Sequence, residues 1–107
     1  MKFADYQKKS RTTAMYPNRG KNFVYPVLGL AGEAGEVAEK VKKIIRDNDG
    51  VVTALAKEDI KKELGDVLWY VSSLSNHVGV TLEDIAKANL EKLQSRKERN
   101  LLNGNGD

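Results

Sequence analysis

The sequence predicts an all-α protein, because apolar residues recur at helical spacing and the alternation typical of strands is almost absent. A second observation is a long internal repeat whose two copies each carry this helical spacing. Third, the 107 residues are 40% hydrophobic and 31% charged, which is the balance of one small globular domain. A lone core of this size is only marginally stable.

Composition also excludes several classes of function. The chain has no cysteine, which excludes a disulfide framework and thiolate chemistry. A net charge of +3 is too small and too dispersed to indicate nucleic-acid binding, so we expect no stable nucleic-acid partner. No segment is apolar enough for a membrane span or a signal core, which predicts a soluble, cytoplasmic protein without a membrane partner.

The first predicted helix covers residues 2–14 and is broken by Tyr16, Pro17 and Gly20. The second begins between residues 22 and 27, where Pro26 is tolerated in a first turn, and runs to Arg46. Between these helices the chain is rich in cations and small hydrogen-bond donors. This connector is either solvated or contacts a base or phosphate.

Residues 51–57 are predicted to form a connector, and the third helix spans residues 58–78, ending near Gly79. The fourth helix begins at Thr81, a good N-cap, with Asp84 three residues later. We therefore predict a single domain over residues 1–102 and a disordered tail over residues 103–107, which is rich in Asn and Gly.

Residues 30–44 and 60–74 are near-copies of each other at an offset of thirty residues, which aligns Glu33 with Glu63 and Glu36 with Asp66. On helices, both acidic pairs lie on the same flank of an inward-facing apolar stripe, which includes Ile45 on the second predicted helix and Leu64 on the third. Glu33 and Glu63 have no basic residue three or four positions away. If the two helices pack through these stripes, about 8–10 Å apart, the four carboxylates share one small volume.

Such a cluster needs a cation or a proton, because each like-charge pair at about 6 Å costs roughly 3 kcal/mol at an effective dielectric of 20. Oxygen ligands alone suit Mg²⁺, or Mn²⁺ as a substitute. The single histidine, His77, lacks the Glu-x-x-His spacing of di-iron bundles, which disfavours iron and zinc. The alternative is that the acids belong to solvated helix faces with ordinary ion pairs.

Further polar residues form candidate substrate contacts. Lys40 and Lys43 lie on the acidic flank, where they either contact phosphate or complement the helix dipole. Tyr70 follows Asp66 by one turn and either stacks on a base or packs ordinarily. Three polar residues form a row along the fourth helix that suits a polyphosphate: Asn89, Lys92 and Arg96. The alternative is a buried, hydrogen-bonded Asn89 followed by two solvated cations.

Two mid-helix glycines, Gly35 and Gly65, occupy equivalent positions in the repeat. Each costs about 1 kcal/mol relative to alanine, which predicts a close backbone approach between helices or between subunits. Trp69 points away from the apolar stripe, which indicates a second buried surface such as a subunit contact.

Three segments resemble the MazG-type nucleotide pyrophosphohydrolases, which belong to the all-α NTP pyrophosphatases. They read Gly-Leu-Ala-Gly-Glu-Ala-Gly-Glu-Val at 29–37, Lys-Glu-Leu-Gly-Asp-Val-Leu-Trp-Tyr at 62–70, and Asn-Leu-Glu-Lys-Leu at 89–93, followed by Arg96. The hallmark of that family is Glu-x-x-Glu, a variable gap and Glu-x-x-Asp. The resemblance covers residues 25–96, about two-thirds of the chain.

The resemblance implies a bundle of four to five helices that assembles as a homodimer or homotetramer. It implies cleavage of a nucleoside triphosphate between the α and β phosphates, with phosphate contacts from Asn89, Lys92 and Arg96. It also implies Mg²⁺ held by Glu33, Glu36, Glu63 and Asp66. Our hypothesis is that Glu33 or Glu36 accepts the proton of the attacking water. The rival interpretations are a non-catalytic helical module that binds nucleotide or a partner protein, and a purely structural dimer.

Overall fold

The computed structural model describes residues 1–99, which form four helices and no strand. The helices are α1 (Phe3–Arg11), α2 (Val24–Asn48), α3 (Ala54–Val78) and α4 (Leu82–Glu98). The all-α prediction is confirmed. Within the described part of the chain, no helix is both long and apolar enough to cross a membrane. The predicted tail at 103–107 and the last residues of the predicted domain, 100–102, lie outside the described residues.

Helices α2 and α3 pack against each other as a hairpin. Asp49 and Gly50, both with left-handed φ angles of 51° and 77°, end α2 and reverse the chain. Thr53 then caps α3, since its Oγ1 accepts a hydrogen bond of 3.1 Å from the backbone N–H of Ala56. The predicted connector is therefore wrong at residues 54–57, because this cap and the helix-forming Ala-Leu-Ala-Lys begin α3 four residues early.

The start of α4 agrees with the sequence prediction, because Thr81 Oγ1 accepts from the backbone N–H of Asp84 at 3.0 Å. Buried Gln7 of α1 holds this start in place. Its Nε2 donates to Asn76 Oδ1 and to the Val80 carbonyl, and its Oε1 accepts from the Leu82 N–H, each at 2.9 Å. One amide thereby ties α1 to the end of α3 and the beginning of α4, and α4 packs chiefly on α1.

The contact between α1 and α3 is made by small polar side chains. Ser72 of α3 is fully buried, and its hydroxyl lies 2.8 Å from the Ser10 hydroxyl of α1. Ser73 and Ser75 are also buried. These short side chains let α1 lie close to the second half of α3, beside the connector that leads into α2.

Large apolar side chains of α2 and α3 stay exposed in one copy of the chain. Ile45 and Leu64 were predicted to face inward with the apolar stripes, yet they are 64% and 51% exposed. The half-buried positions are those next to the other hairpin helix, such as Val37 and Val67. The apolar face of each helix is wider than one neighbouring helix can cover. The prediction that the stripes face inward is therefore wrong, in a single protomer, for residues at the outer edge of this face.

Candidate active site

Three acidic side chains meet where α2 lies against α3. One carboxylate oxygen each from Glu33, Glu63 and Asp66 lies within 4.8 Å of the others. Glu33 and Glu63 are half-buried, and Asp66 is exposed. The hairpin brings Glu33 across to α3, where Glu63 and Asp66 lie one helical turn apart. We call these three side chains the acidic trio.

Repulsion within the acidic trio acts on the pKa of Glu33. Burial raises the pKa of Glu33, and the charges of Asp66, Glu63 and Glu36 raise it further. Glu36, the fourth predicted ligand, therefore lies close enough to act on Glu33, although it does not belong to the compact trio. On α1, burial and the charge of Asp66 raise the pKa of Tyr6. A hard divalent cation would relieve this repulsion, and an oxygen-only donor set fits Mg²⁺ or Mn²⁺.

An open cavity of about 290 Å³ adjoins the trio and is lined by Thr13, Glu33, Asp66, Trp69 and Tyr70. Thr13 comes from the connector that follows α1. Its Oγ1 accepts a hydrogen bond of 2.7 Å from Trp69 Nε1 and donates one of 2.7 Å to the Ser10 carbonyl. These bonds fix the connector to α3 beside the acids. The sequence had left the role of this connector open between a solvated segment and a contact to a base or phosphate.

Four aromatic side chains pack together beside this cavity, and two of them, Trp69 and Tyr70, line it. We call the four the aromatic cluster: Tyr16, Tyr25, Trp69 and Tyr70. Tyr16 stacks on Tyr25 with ring centroids 4.7 Å apart, and Trp69 meets Tyr70 edge-on at 5.0 Å. The Tyr16 hydroxyl lies 2.7 Å from the Ser73 hydroxyl. Trp69, predicted to face a second buried surface such as a subunit contact, packs against Thr13 and Tyr70 of its own chain, and a subunit contact stays a prediction. The helical position of Trp69 gave no sign of the bond to Thr13, because Thr13 lies on the connector.

A close backbone approach occurs at Gly29 and not where it was predicted. A Cβ at Gly29 would lie closer than 3.0 Å to three ring atoms of Tyr70, Cδ1, Cε1 and Cζ. A Cβ at Gly35 or Gly65 would meet nothing within 4 Å. The predicted approach between helices is therefore wrong at Gly35 and Gly65, and an approach between subunits stays a prediction there.

Comparison of the sequence with known proteins shows the family of this chain. Residues 26–100 match the MazG nucleotide pyrophosphohydrolase domain. The chain belongs to this family. The Gene 37 protein of Mycobacterium phage L5 is 49% identical, over 95% of this chain and 94% of its own length. The uncharacterized protein YvdC of Bacillus subtilis (strain 168) is 36% identical, over 92% of this chain and 98% of its own length. No solved structure matches the chain.

The remaining candidate residues of this MazG domain do not line the acid-lined cavity in a single protomer. Lys40 is half-buried and lines a different cavity, of about 520 Å³, near the turn between α2 and α3. The polyphosphate row lies on α4, which packs chiefly on α1, with Asn89 and Lys92 exposed and Arg96 half-buried. In a single protomer Tyr70 thus lines the cavity together with Glu33 and Asp66, while the phosphate contacts stay a prediction.

Proposed function

We propose that this MazG domain is a Mg²⁺-dependent nucleoside triphosphate pyrophosphohydrolase that converts (d)NTP into (d)NMP and pyrophosphate. The observation that carries this proposal is the acidic trio beside a cavity walled by Trp69 and Tyr70. Carboxylates can hold a divalent cation for a triphosphate, and aromatic rings can receive a base. Membership of the family supports the nucleotide substrate class.

In this proposal the metal ligands are Glu33, Glu36, Glu63 and Asp66, with Mn²⁺ as a substitute for Mg²⁺. When bound, the ion would neutralise the charge of the triphosphate and the charge that develops on the leaving pyrophosphate. Glu33 or Glu36 accepts a proton as the water oxygen bonds to the α phosphorus. The bond from the α phosphorus to the bridging oxygen breaks, and pyrophosphate leaves.

A homodimer or homotetramer completes this proposal. The uncovered apolar face of the hairpin includes Val41, Ile45 and Leu64, which are 42%, 64% and 51% exposed. Large exposed apolar side chains on a small domain favour a partner, and a second copy supplies one without any further protein. In the proposed assembly, α4 of a second copy brings its polyphosphate row to the cavity. Lys40 contributes a further phosphate contact.

The activity is tested with a panel of dNTPs, with Mg²⁺ or with EDTA, by chromatography of the products. We expect monophosphate and pyrophosphate only with the metal. In H₂¹⁸O the label should enter the monophosphate, because water attacks the α phosphorus. Asp66→Asn and Glu63→Gln should abolish turnover with unchanged helicity, whereas Glu58→Gln, an exposed acid of α3 that pairs with Lys61 at 3.7 Å, should retain it.

Other outcomes of this panel would favour the rival interpretations. Nucleotide-dependent thermal stabilisation without product would identify a non-catalytic binding module. Turnover retained by Asp66→Asn would refute the role of the acidic trio. If the protein neither bound nor hydrolysed any nucleotide, the interpretation as a purely structural dimer would be favoured.

The composite site has a separate test. Glu63→Gln and Arg96→Ala variants are each expected to be inactive. Mixing and exchanging their subunits should restore roughly a quarter of wild-type activity, because one site in some mixed oligomers regains both groups. Light scattering should give a dimer or tetramer that Leu64→Lys dissociates. No recovery on mixing, with proven subunit exchange, would show that each protomer builds its site alone.

A further inference from the structure

We propose that Gly29 is a positioning residue, whose missing side chain forms the slot that seats the Tyr70 ring as one wall of the acid-lined cavity. The proposal rests on the proposed function, since a precise wall matters only if the cavity receives a nucleoside. It extends that function to a residue that bears no functional group and touches no substrate.

The slot lies directly beside the acidic trio. Gly29 precedes Glu33 by one helical turn on α2, and Tyr70 follows Asp66 by one turn on α3. A Cβ on Gly29 would come closer than 3.0 Å to the Cδ1, Cε1 and Cζ atoms of the Tyr70 ring. The ring edge therefore rests on the bare backbone of α2, at the turn next to the one that presents Glu33.

Any methyl group at position 29 must displace the Tyr70 ring. Ordinary contact between carbon atoms is about 3.5–4.0 Å, so the ring must retreat by about 1 Å or more. The ring turns on its side-chain torsions, whereas separating α2 from α3 would disrupt packing along the whole hairpin. Trp69 borders the ring at 5.0 Å and Tyr25 at 6.4 Å, so a displaced ring changes the aromatic wall.

Gly32 provides a matched control, because it lies on the same helix three residues later. A Cβ there meets nothing within 4 Å. Alanine at either position has the same helix propensity, about 1 kcal/mol better than glycine. A difference between Gly29→Ala and Gly32→Ala thus reports the Tyr70 contact and not a general effect of alanine in α2.

The test measures binding of an α,β-methylene dNTP by calorimetry in the presence of Mg²⁺. Gly29→Ala should weaken binding about tenfold, near the lower end of what one base–aromatic contact contributes, while Gly32→Ala should leave it unchanged. Tyr70→Ala should weaken binding to a similar degree. In the Tyr70→Ala background, Gly29→Ala should have no further effect, because the methyl group then has room. Equal effects of Gly29→Ala in both backgrounds would overturn the proposal.

Two further measurements distinguish a displaced Tyr70 ring from a disturbed metal site, and distinguish failure of this proposal from failure of the proposed function. The affinity for Mn²⁺, measured by electron paramagnetic resonance, should change less than twofold in Gly29→Ala; a parallel loss of Mn²⁺ would show that the slot sets helix spacing instead. Near-ultraviolet circular dichroism should change in Gly29→Ala and not in Gly32→Ala, because Tyr70 packs on Trp69. A wild type that binds no nucleotide would refute the proposed function, while this signal would still decide whether Gly29 seats the ring.

Discussion

Replacing Glu33 by glutamine should stabilise the metal-free protein and weaken its response to metal. The carboxylate oxygens of Glu33, Glu63 and Asp66 lie within 4.8 Å of one another. At that distance two unit charges repel by about 0.9 kcal/mol in bulk water, and more at a partly buried site. Glu33→Gln removes two such repulsions at nearly constant volume, so its side chain keeps its place while its charge is lost.

The expected size of the effect follows from this geometry. Salt at about 0.1 M screens charges over roughly 10 Å, which leaves about 1 kcal/mol of repulsion for the two pairs together. A gain of about 1 kcal/mol raises the melting temperature of a domain of this size by roughly 4–8 °C. In the wild type, metal at a hundredfold excess over its Kd adds about 2.7 kcal/mol. The order of the two proteins should therefore reverse when metal is added.

Thermal unfolding followed by Trp69 fluorescence checks this reversal, with EDTA and with MnCl₂ or MgCl₂. The control is Glu58→Gln, whose exposed carboxylate pairs with Lys61 away from the trio, and it should melt like the wild type in both buffers. A Glu33→Gln protein that is less stable than the wild type without metal would refute the repulsion argument. Equal stabilisation of both proteins by Mn²⁺ would refute Glu33 as a ligand.

Three further predictions concern the contacts at the start of α4 and the titration of Glu33. Gln7→Ala should cost about 2–3 kcal/mol in urea unfolding, because it leaves the Leu82 N–H and the Val80 carbonyl without a partner; a loss below 0.5 kcal/mol would contradict the role of this amide. Thr81→Ala should cost about 1 kcal/mol in the same assay, whereas Thr81→Ser should be nearly neutral. The pKa of folded Glu33 is raised, so ionisation destabilises the metal-free fold above that pKa, and protonation relieves the penalty as the pH falls. The wild type should therefore approach Glu33→Gln in melting temperature as the pH falls from neutral toward the ordinary pKa of a glutamate, and a gap independent of pH would contradict this.

The meeting of acids across the hairpin could be predicted from sequence because it needs only two regular features. Helical periodicity puts Glu63 and Asp66 on one flank of α3, and the repeat puts Glu33 on the matching flank of α2. Two helices joined by a short turn then bring these flanks together. The start of α4 could be predicted equally well, because the Thr81 side chain caps the first turn of the helix that follows it directly in sequence.

Contacts between distant residues had no such signal. Gln7 ties α1 to the end of α3 and the start of α4, through bonds to Asn76, Val80 and Leu82 that helical periodicity does not predict. Sequence reasoning attributed close approach to Gly35 because it recurs in the repeat, whereas the approach occurs at Gly29, which has no counterpart there. Whether a glycine is needed depends on the direction of a facing side chain, here Tyr70, and that direction is a tertiary property.

Two unfavourable features of the protomer lie on the same hairpin. The acidic trio stores like-charge repulsion, and the outer apolar face that includes Ile45 and Leu64 remains in contact with water. A divalent cation would remove the first cost, and a second copy of the chain would remove the second. Both ligands would bind only the folded hairpin, so each would add to the free energy of unfolding. Metal binding and assembly, which are both parts of the proposed function, would thus each stabilise the hairpin of α2 and α3.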